Sequence, residues 1–315
     1  MLEILSDFMQ MLFVLFIAPL LTGLVRKVKA RLMRRRGPPI VQPYRDLARL
    51  FRKEVVLADN ASWLFRAAPY LVFALTLVAA SLVPTIATER PFALAADFIA
   101  IVALIGSARF FLALAGLDIG TSFGGIGSSR EVMIASLAEP AMMMVIFSIA
   151  LIAGSTNLSA IVAFMASHVE VEVSFGLALV GFIIVAIAEN ARVPVDNPAT
   201  HLELTMVHEA MVLEYSGRHL ALIEWAASLK LLLYVSLLVC VFAPWGISTF
   251  GGGVAAMGTA LAVYLGKLTV AGALLGFFEV SIAKMRVFRV PEFLGAALML
   301  ALLATLLRLI VRSLE

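Results

Sequence analysis

From Leu231 to Gly266 the chain reads LLLYVSLLVCVFAPWGISTFGGGVAAMGTALAVYLG, 36 residues without a formal charge. A bilayer core of roughly 30 Å is crossed by about 20 apolar residues in a helix, so this run is too long for one crossing. Pro244-Trp245-Gly246 and Gly251-Gly252-Gly253 punctuate it as a turn between two helices. Charge-free stretches recur at 67–88 and 140–169. The whole chain of 315 residues has the same character: 62% apolar and 14% charged, with a mean hydropathy of +1.03. Soluble domains lie near 45–50% apolar with about 25% charged. The composition excludes a disordered chain and argues against an ordinary water-soluble enzyme.

The pattern predicts an all-α polytopic membrane protein, a single membrane domain over residues 1–315. About eight transmembrane helices are expected near 7–25, 67–87, 96–117, 132–154, 172–190, 220–243, 253–278 and 293–311. Met1-Leu2-Glu3 supplies no positive region ahead of the first apolar segment, and no small-residue cleavage site follows it. That segment reads as a retained helix rather than a signal peptide. Cys240, the single cysteine, lies in an apolar run and cannot form an intrachain disulfide.

Lysine and arginine set the orientation. Twelve of the 24 fall in the connection 26–66, and six more, Arg130, Arg192, Arg218, Lys284, Arg286 and Arg289, fall in connections on the same face. Only Arg90, Arg308 and Arg312 fall on the other. The large connections 26–66 and 191–219 are therefore expected in the cytoplasm, and both termini on the outer, periplasmic side. The net charge of +3 hides this asymmetry. Because the positives crowd beside a membrane helix, they point to membrane lipid or a protein partner and not to nucleic acid.

The first connection combines Arg34-Arg35-Arg36-Gly37-Pro38-Pro39 with Gln42-Pro43-Tyr44 and Asp46. Pro38 and Pro39 lack N–H donors and exclude a continuous helix. Leu47, Leu50 and Phe51 then recur at i, i+3, i+4, which predicts a short amphipathic helix at the interface. Two readings stand: the arginines hold the loop inside and meet anionic lipid, or the rigid element among them is also a docking platform.

Several predicted spans carry ionisable residues: Arg109, Glu139, Glu224, Lys230 and Lys267, with Glu189 and Glu279 closing the fifth and seventh. An isolated charge at the bilayer centre costs roughly 2.5–3.5 kcal/mol on insertion scales, so these should be paired, hydrated or facing a bundle interior. The connection after the fifth span adds Asp196, Glu203, Glu209 and Glu214, with Arg192 among them and Arg218 just beyond. Crowded carboxylates in a partly desolvated place raise one another's pKa, toward values where they accept and release protons. Glu139, Glu189, Glu203, Glu209, Glu214 and Glu224 can then form a trail from the cytoplasmic face into the bilayer. The bland reading is that the loop acids are solvated or pair with arginines of a soluble partner. Leu202, Met206 and Val207 give a helical period that Gly217 would end.

Other patterns carry less. His201 and His208 stand seven residues apart, roughly 10 Å along a helix, too far to share one ion. Gly124-Gly125-Ile126-Gly127 precedes a membrane helix and follows no strand, so it is not read as a dinucleotide site. Met142-Met143-Met144 reads as packing. No metal site and no redox centre is expected in the chain.

Two long elements resemble the respiratory complex I subunit 1 (NuoH) family. One is Arg34 to Glu54, RRRGPPIVQPYRDLARLFRKE; the other runs from Glu189, Arg192, Pro194 and Asp196 through spaced acids to Glu214-Tyr215-Ser216-Gly217. Quinone-reducing members typically show Pro-Phe-Asp-Leu-Pro-Glu. This chain reads Pro194-Val-Asp196-Asn-Pro198-Ala-Thr-His201, which is similar to the branch of group 4 nickel–iron hydrogenases and formate hydrogenlyases of the hydrogenase-4 component C type. The resemblance implies a membrane anchor and coupling subunit in a bacterial or archaeal cytoplasmic (inner) membrane. It would sit beneath a hydrogenase-like large subunit and a small iron–sulfur subunit, beside antiporter-like membrane subunits. Nickel–iron and iron–sulfur centres would belong to those partners, and electron transfer there would drive proton (or sodium) translocation. The resemblance implies docking through Arg34, Arg35, Arg36, Gly37, Pro38, Gln42, Pro43, Asp46, Tyr215 and Arg218. Coupling would run through Glu139, Glu189, Asp196, Glu203, Glu209, Glu214 and Glu224, with Arg109, Arg192, Lys230 and Lys267 as candidate counter-charges. The alternatives are the quinone-tunnel subunit of an NADH:quinone oxidoreductase, in which quinone would bind, a purely structural anchor, and a stand-alone transporter.

Overall fold

The computed structural model describes residues 2–85, 96–167, 172–196, 207–247, 253–283, 285 and 289–314. Among them the regular structure is helical: α1 (Leu2–Leu32), α2 (Gln42–Phe51), α3 (Trp63–Leu82), α4 (Phe98–Asp118), α5 (Ser122–Ala153), α6 (Leu158–Ser167), α7 (Val173–Glu189), α8 (His208–Val212), α9 (Gly217–Phe242), α10 (Gly253–Ser281) and α11 (Val290–Leu314). Seven of these, α1, α3, α4, α5, α9, α10 and α11, are long and apolar enough to cross a membrane. The apolar α7 has 17 residues, a rise of about 26 Å.

Neighbouring helices run α10, α1, α9, α3, α4, α5 and α11 around the bundle, and α7 packs on both α5 and α11. The main core lies where α1, α4, α5, α7, α9 and α11 converge, around Phe98, Met142, Ile146, Phe182 and Leu237. A second core at one end joins α3, α4 and α9 through Phe65, Leu112, Ile119 and Tyr215. Trp63 and Trp245 are strongly exposed at opposite ends of the bundle, where indole rings sit in the two interfacial belts.

Three elements differ from expectation. α1 continues to Leu32 past the basic residues Arg26, Lys27 and Lys29, because a long apolar helix propagates through side chains that snorkel to the interface. α5 begins at Ser122, so Gly124 to Gly127 is helical rather than a connection. Gly116 and Gly124 sit where α4 and α5 cross too closely for side chains, and a Cβ on Gly127 would press on Ala210 and Met211 of α8 at 2.9–3.0 Å. Gly217 starts α9 instead of ending a helix.

Two span prolines create a repeated device. Pro19 in α1 and Pro69 in α3 lack the N–H that would bond the carbonyl four residues earlier. Both freed carbonyls are taken by aromatic donors from elsewhere: Trp225 Nε1 donates to Leu15 O at 3.1 Å, and Tyr215 OH donates to Phe65 O at 3.0 Å.

Candidate functional site

The basic connection folds back on α1. A Cβ on Gly23 would overlap the Ile40 carbonyl, and one on Gly37, at φ +65°, would overlap the Ala30 side chain. Lys27 Nζ donates to Arg36 O at 3.0 Å. The loop thereby lies against the end of the span while residues 31–41, including Arg34, Arg35, Arg36 and Pro38, are all exposed. α2 follows with Pro43 and Leu47 buried. Asp46 accepts from Gln42 Nε2 at 3.0 Å and pairs with Arg49 at 2.9 Å, and Tyr44 OH donates to Phe16 O.

The acidic connection is stitched to the same face. Ser216 Oγ accepts from Val56 N and donates to Val56 O, both at 2.8 Å. Gly217, at φ +54°, brings its α-carbon so near the Lys53 and Glu54 carbonyls that a Cβ would lie 2.6–2.8 Å from them. Tyr215 stacks flat on Phe65 with ring centroids 4.0 Å apart. Burial pushes the Tyr215 phenol far above its ordinary pKa, and Asp118 adds to the shift, so the group stays a donor. Arg218 is exposed beside it, whereas Asp196 is buried and Glu209 and Glu214 are half-buried. Glu203 and His201 lie outside the described residues.

Inside the bundle, α4, α5, α7 and α9 bring five charged side chains together. Arg109 of α4, with a side chain 5% exposed, lies 3.3 Å from Glu131 and 3.6 Å from Glu139 and pairs directly with Glu189. Lys230 of α9 meets the same Glu189 carboxylate at 3.0 Å. Three carboxylates against two cations leave a formal charge of −1. One added proton would bring that formal charge to zero. Glu139 faces a groove of about 750 Å³ between α4 and α5, and its side chain remains 44% exposed there. A carboxylate turned to hydrocarbon would be costly, so that face calls for a polar neighbour.

The remaining candidates fall into separate places. Glu224 lines a chamber of about 240 Å³ with Asp46, Arg26, Arg49 and Ser228, between α1, α2 and α9. Glu224 stands six residues before Lys230 on α9, about 9 Å along the axis. Arg192 bonds Glu279 Oε1 at 3.0 Å while Lys29 bonds Oε2 at 3.0 Å. Lys267 stands apart: its Nζ donates to Ala243 O at 2.5 Å and to Trp245 O, capping the C-terminus of α9.

Sequence reasoning missed Glu131 and gave Glu279 no role. Extending α5 back through its glycines would have placed Glu131 two turns before Glu139 within the span. For Glu279, the signal was an acid ending an apolar helix among basic connections.

Comparisons with known proteins agree with this architecture. Formate hydrogenlyase subunit 4 of Escherichia coli K12 is 34% identical over 304 residues, covering 96% of this chain and 97% of that protein. Hydrogenase-4 component C of the same organism is 37% identical over 237 residues, covering 75% of this chain and 74% of its own. A subunit of the membrane-bound sulfane sulfur reductase, an archaeal respiratory membrane complex, superposes with a TM-score of 0.83 at 19% identity, over 98% of this chain and 100% of that one. The NADH dehydrogenase family profile matches residues 6–310, and the chain, a multi-span membrane protein, belongs to that family.

Proposed function

We propose that this chain is the membrane anchor and coupling subunit of a multisubunit oxidoreductase of the hydrogenase or formate hydrogenlyase type. It links electron transfer in a docked peripheral arm to translocation of protons or sodium. The observation that carries the reading is the cluster of Arg109, Glu131, Glu139, Glu189 and Lys230, which holds one carboxylate more than its cations neutralise. The exposed arginines 34–36, Arg218 and the start of α2 at Gln42 to Asp46 share one face, suited to a hydrogenase-like large subunit and a small iron–sulfur subunit, while buried Tyr215 supports that face from within. Nickel–iron and iron–sulfur centres are assigned to those partners and none to this chain. The groove at Glu139 is the face for an antiporter-like membrane subunit, which would supply the polar neighbour that the carboxylate requires.

In mechanism, redox turnover in the arm changes the charge above Asp196, Glu203, Glu209 and Glu214. Glu189, held by Arg109 and Lys230, answers by gaining or losing attraction to its two cations, and Glu139 passes the change across the α4–α5 groove. Water in the Glu224 chamber supplies the cytoplasmic side. The test is Glu139→Gln and Glu189→Gln in the intact complex in inverted membrane vesicles. Ion uptake should fall severalfold while electron-transfer turnover persists and the subunits still copurify. Uptake and turnover both unchanged in an assembled complex would overturn the reading. Repeating the uptake with sodium omitted separates the two ions.

A further inference from the structure

Glu139 stands near the middle of its span, 17 residues from the start of α5 and 14 from its end. Its carboxylate crosses to α4 at Gly106, where a Cβ would lie 3.3 Å from Oε1. Gly106 is eight steps, about 12 Å, from the nearer end of α4. The glycine therefore leaves the carboxylate uncovered toward the groove, deep within the membrane. Arg109 Nη1, the cation beside it, is 3.6 Å away, too long for a hydrogen bond. That nitrogen is itself buried and has no acceptor among the described residues.

Few occupants can meet a carboxylate at this depth. A lipid headgroup stops about 15 Å away, at the edge of a hydrocarbon core roughly 30 Å thick. An acyl chain brings no polar atom to a group whose exposure to hydrocarbon is costly. The shape of the groove suits a helix. Its lining follows α4 from Ile99 to Ala113, fourteen steps or about 21 Å, close to four turns of a facing helix. Ala103, Gly106 and Ser107 of α4 and Ala135 and Ser136 of α5 form its short-chained floor. Both serine hydroxyls donate at 2.8 Å to carbonyls of their own helices, Ala103 O and Met133 O. Such a surface lets another spanning helix approach closely.

Charge sets what that helix must carry. Arg109 and Glu139 are the charged residues that line the groove, and the network behind them holds Glu131, Glu189 and Lys230. A further carboxylate opposite Glu139 would deepen the excess of one negative charge, whereas a single cation would cancel it. We infer that the groove takes a spanning helix of a partner subunit that presents one basic side chain, lysine or arginine, to Glu139 at mid-membrane. The inference rests on the membrane complex proposed above and gives its polar neighbour a sign.

The test uses the assembled complex with the photoreactive benzoylphenylalanine in place of Phe110, which is exposed on the groove one turn from Gly106. After illumination in membranes, peptide mass spectrometry should place the adduct on a spanning helix of another subunit. A lysine or arginine should lie within seven residues of the adduct, about two turns. Replacing that basic residue by Met should shorten retention of the partner subunit in detergent several-fold, and much less when combined with Glu139→Gln. Three results would overturn the inference: adducts confined to lipid or to a second copy of this chain, a partner helix with only apolar or acidic residues at that depth, or losses that are additive in the double variant. Ion uptake by Glu139→Gln judges the coupling reading separately, so a partner helix without a basic residue leaves that reading standing.

Discussion

Arg109 is the residue on which the interior charges converge. Removing one partner of a buried, paired group leaves the others uncompensated, at a cost of about 3–5 kcal/mol. Arg109→Met should therefore strip Glu131, Glu139 and Glu189 of their shared cation, leaving only Lys230 against Glu189. The chain should assemble poorly and its thermal unfolding in detergent should move to lower temperature, whereas Lys267→Met, which loses only a helix cap, should unfold close to the parent. Equal effects from the two would show that Arg109 carries no special load. Arg109, Glu139, Glu189 and Lys230 were legible one by one, because a charge within an apolar run stands out. Their meeting was not legible, since it depends on how α4, α5, α7 and α9 turn toward one another. Lys267 stood out equally in the sequence and has a local task, because nothing in one dimension separates a helix cap from a member of a buried network.

At the level of elements, two of the three prolines inside spans, Pro19 and Pro69, show what a helix does with a missing donor. A carbonyl left without a partner inside an apolar medium is costly, about 1–3 kcal/mol. Tyr215→Phe should therefore destabilise the assembled protein by about 1–3 kcal/mol. The N–H introduced by Pro69→Ala should return part of that loss in the double variant, while offering much less in the parent, where Phe65 O is already satisfied. A double-mutant cycle on thermal unfolding in detergent measures the coupling; additive effects would disprove the tie. Pro19 and Pro69 are plain in the sequence. Their donors are not, because Trp225 lies 210 residues from Leu15 and Tyr215 lies 150 from Phe65. The amphipathic α2 was legible from its i, i+3, i+4 spacing. The extent of α5 was not, because glycines that read as a loop in isolation become close-packing positions once another helix crosses them.

For the whole molecule, the spans were legible from the apolar runs, and their expected sidedness from the distribution of lysine and arginine. Eighteen of 24 basic residues on one side predict that face to be cytoplasmic. In a Cys240→Ser background, a membrane-impermeant maleimide should label Arg35→Cys only in inside-out vesicles and Trp245→Cys only in intact cells. The reverse pattern would invert the whole arrangement. Both positions are exposed at opposite ends of the bundle, so neither substitution disturbs the core.

The ties at Tyr215, Ser216 and Gly217 bear on how a message enters this subunit. With one aromatic ring clamped to Phe65, a hydroxyl held twice by Val56 and a glycine wedged against Glu54, the stalk of α9 has no slack with which to swing. On the coupling role proposed above, a partner docked there would act by altering local potential, which shifts protons and rotamers within ångströms, rather than by dragging a lever through the bilayer.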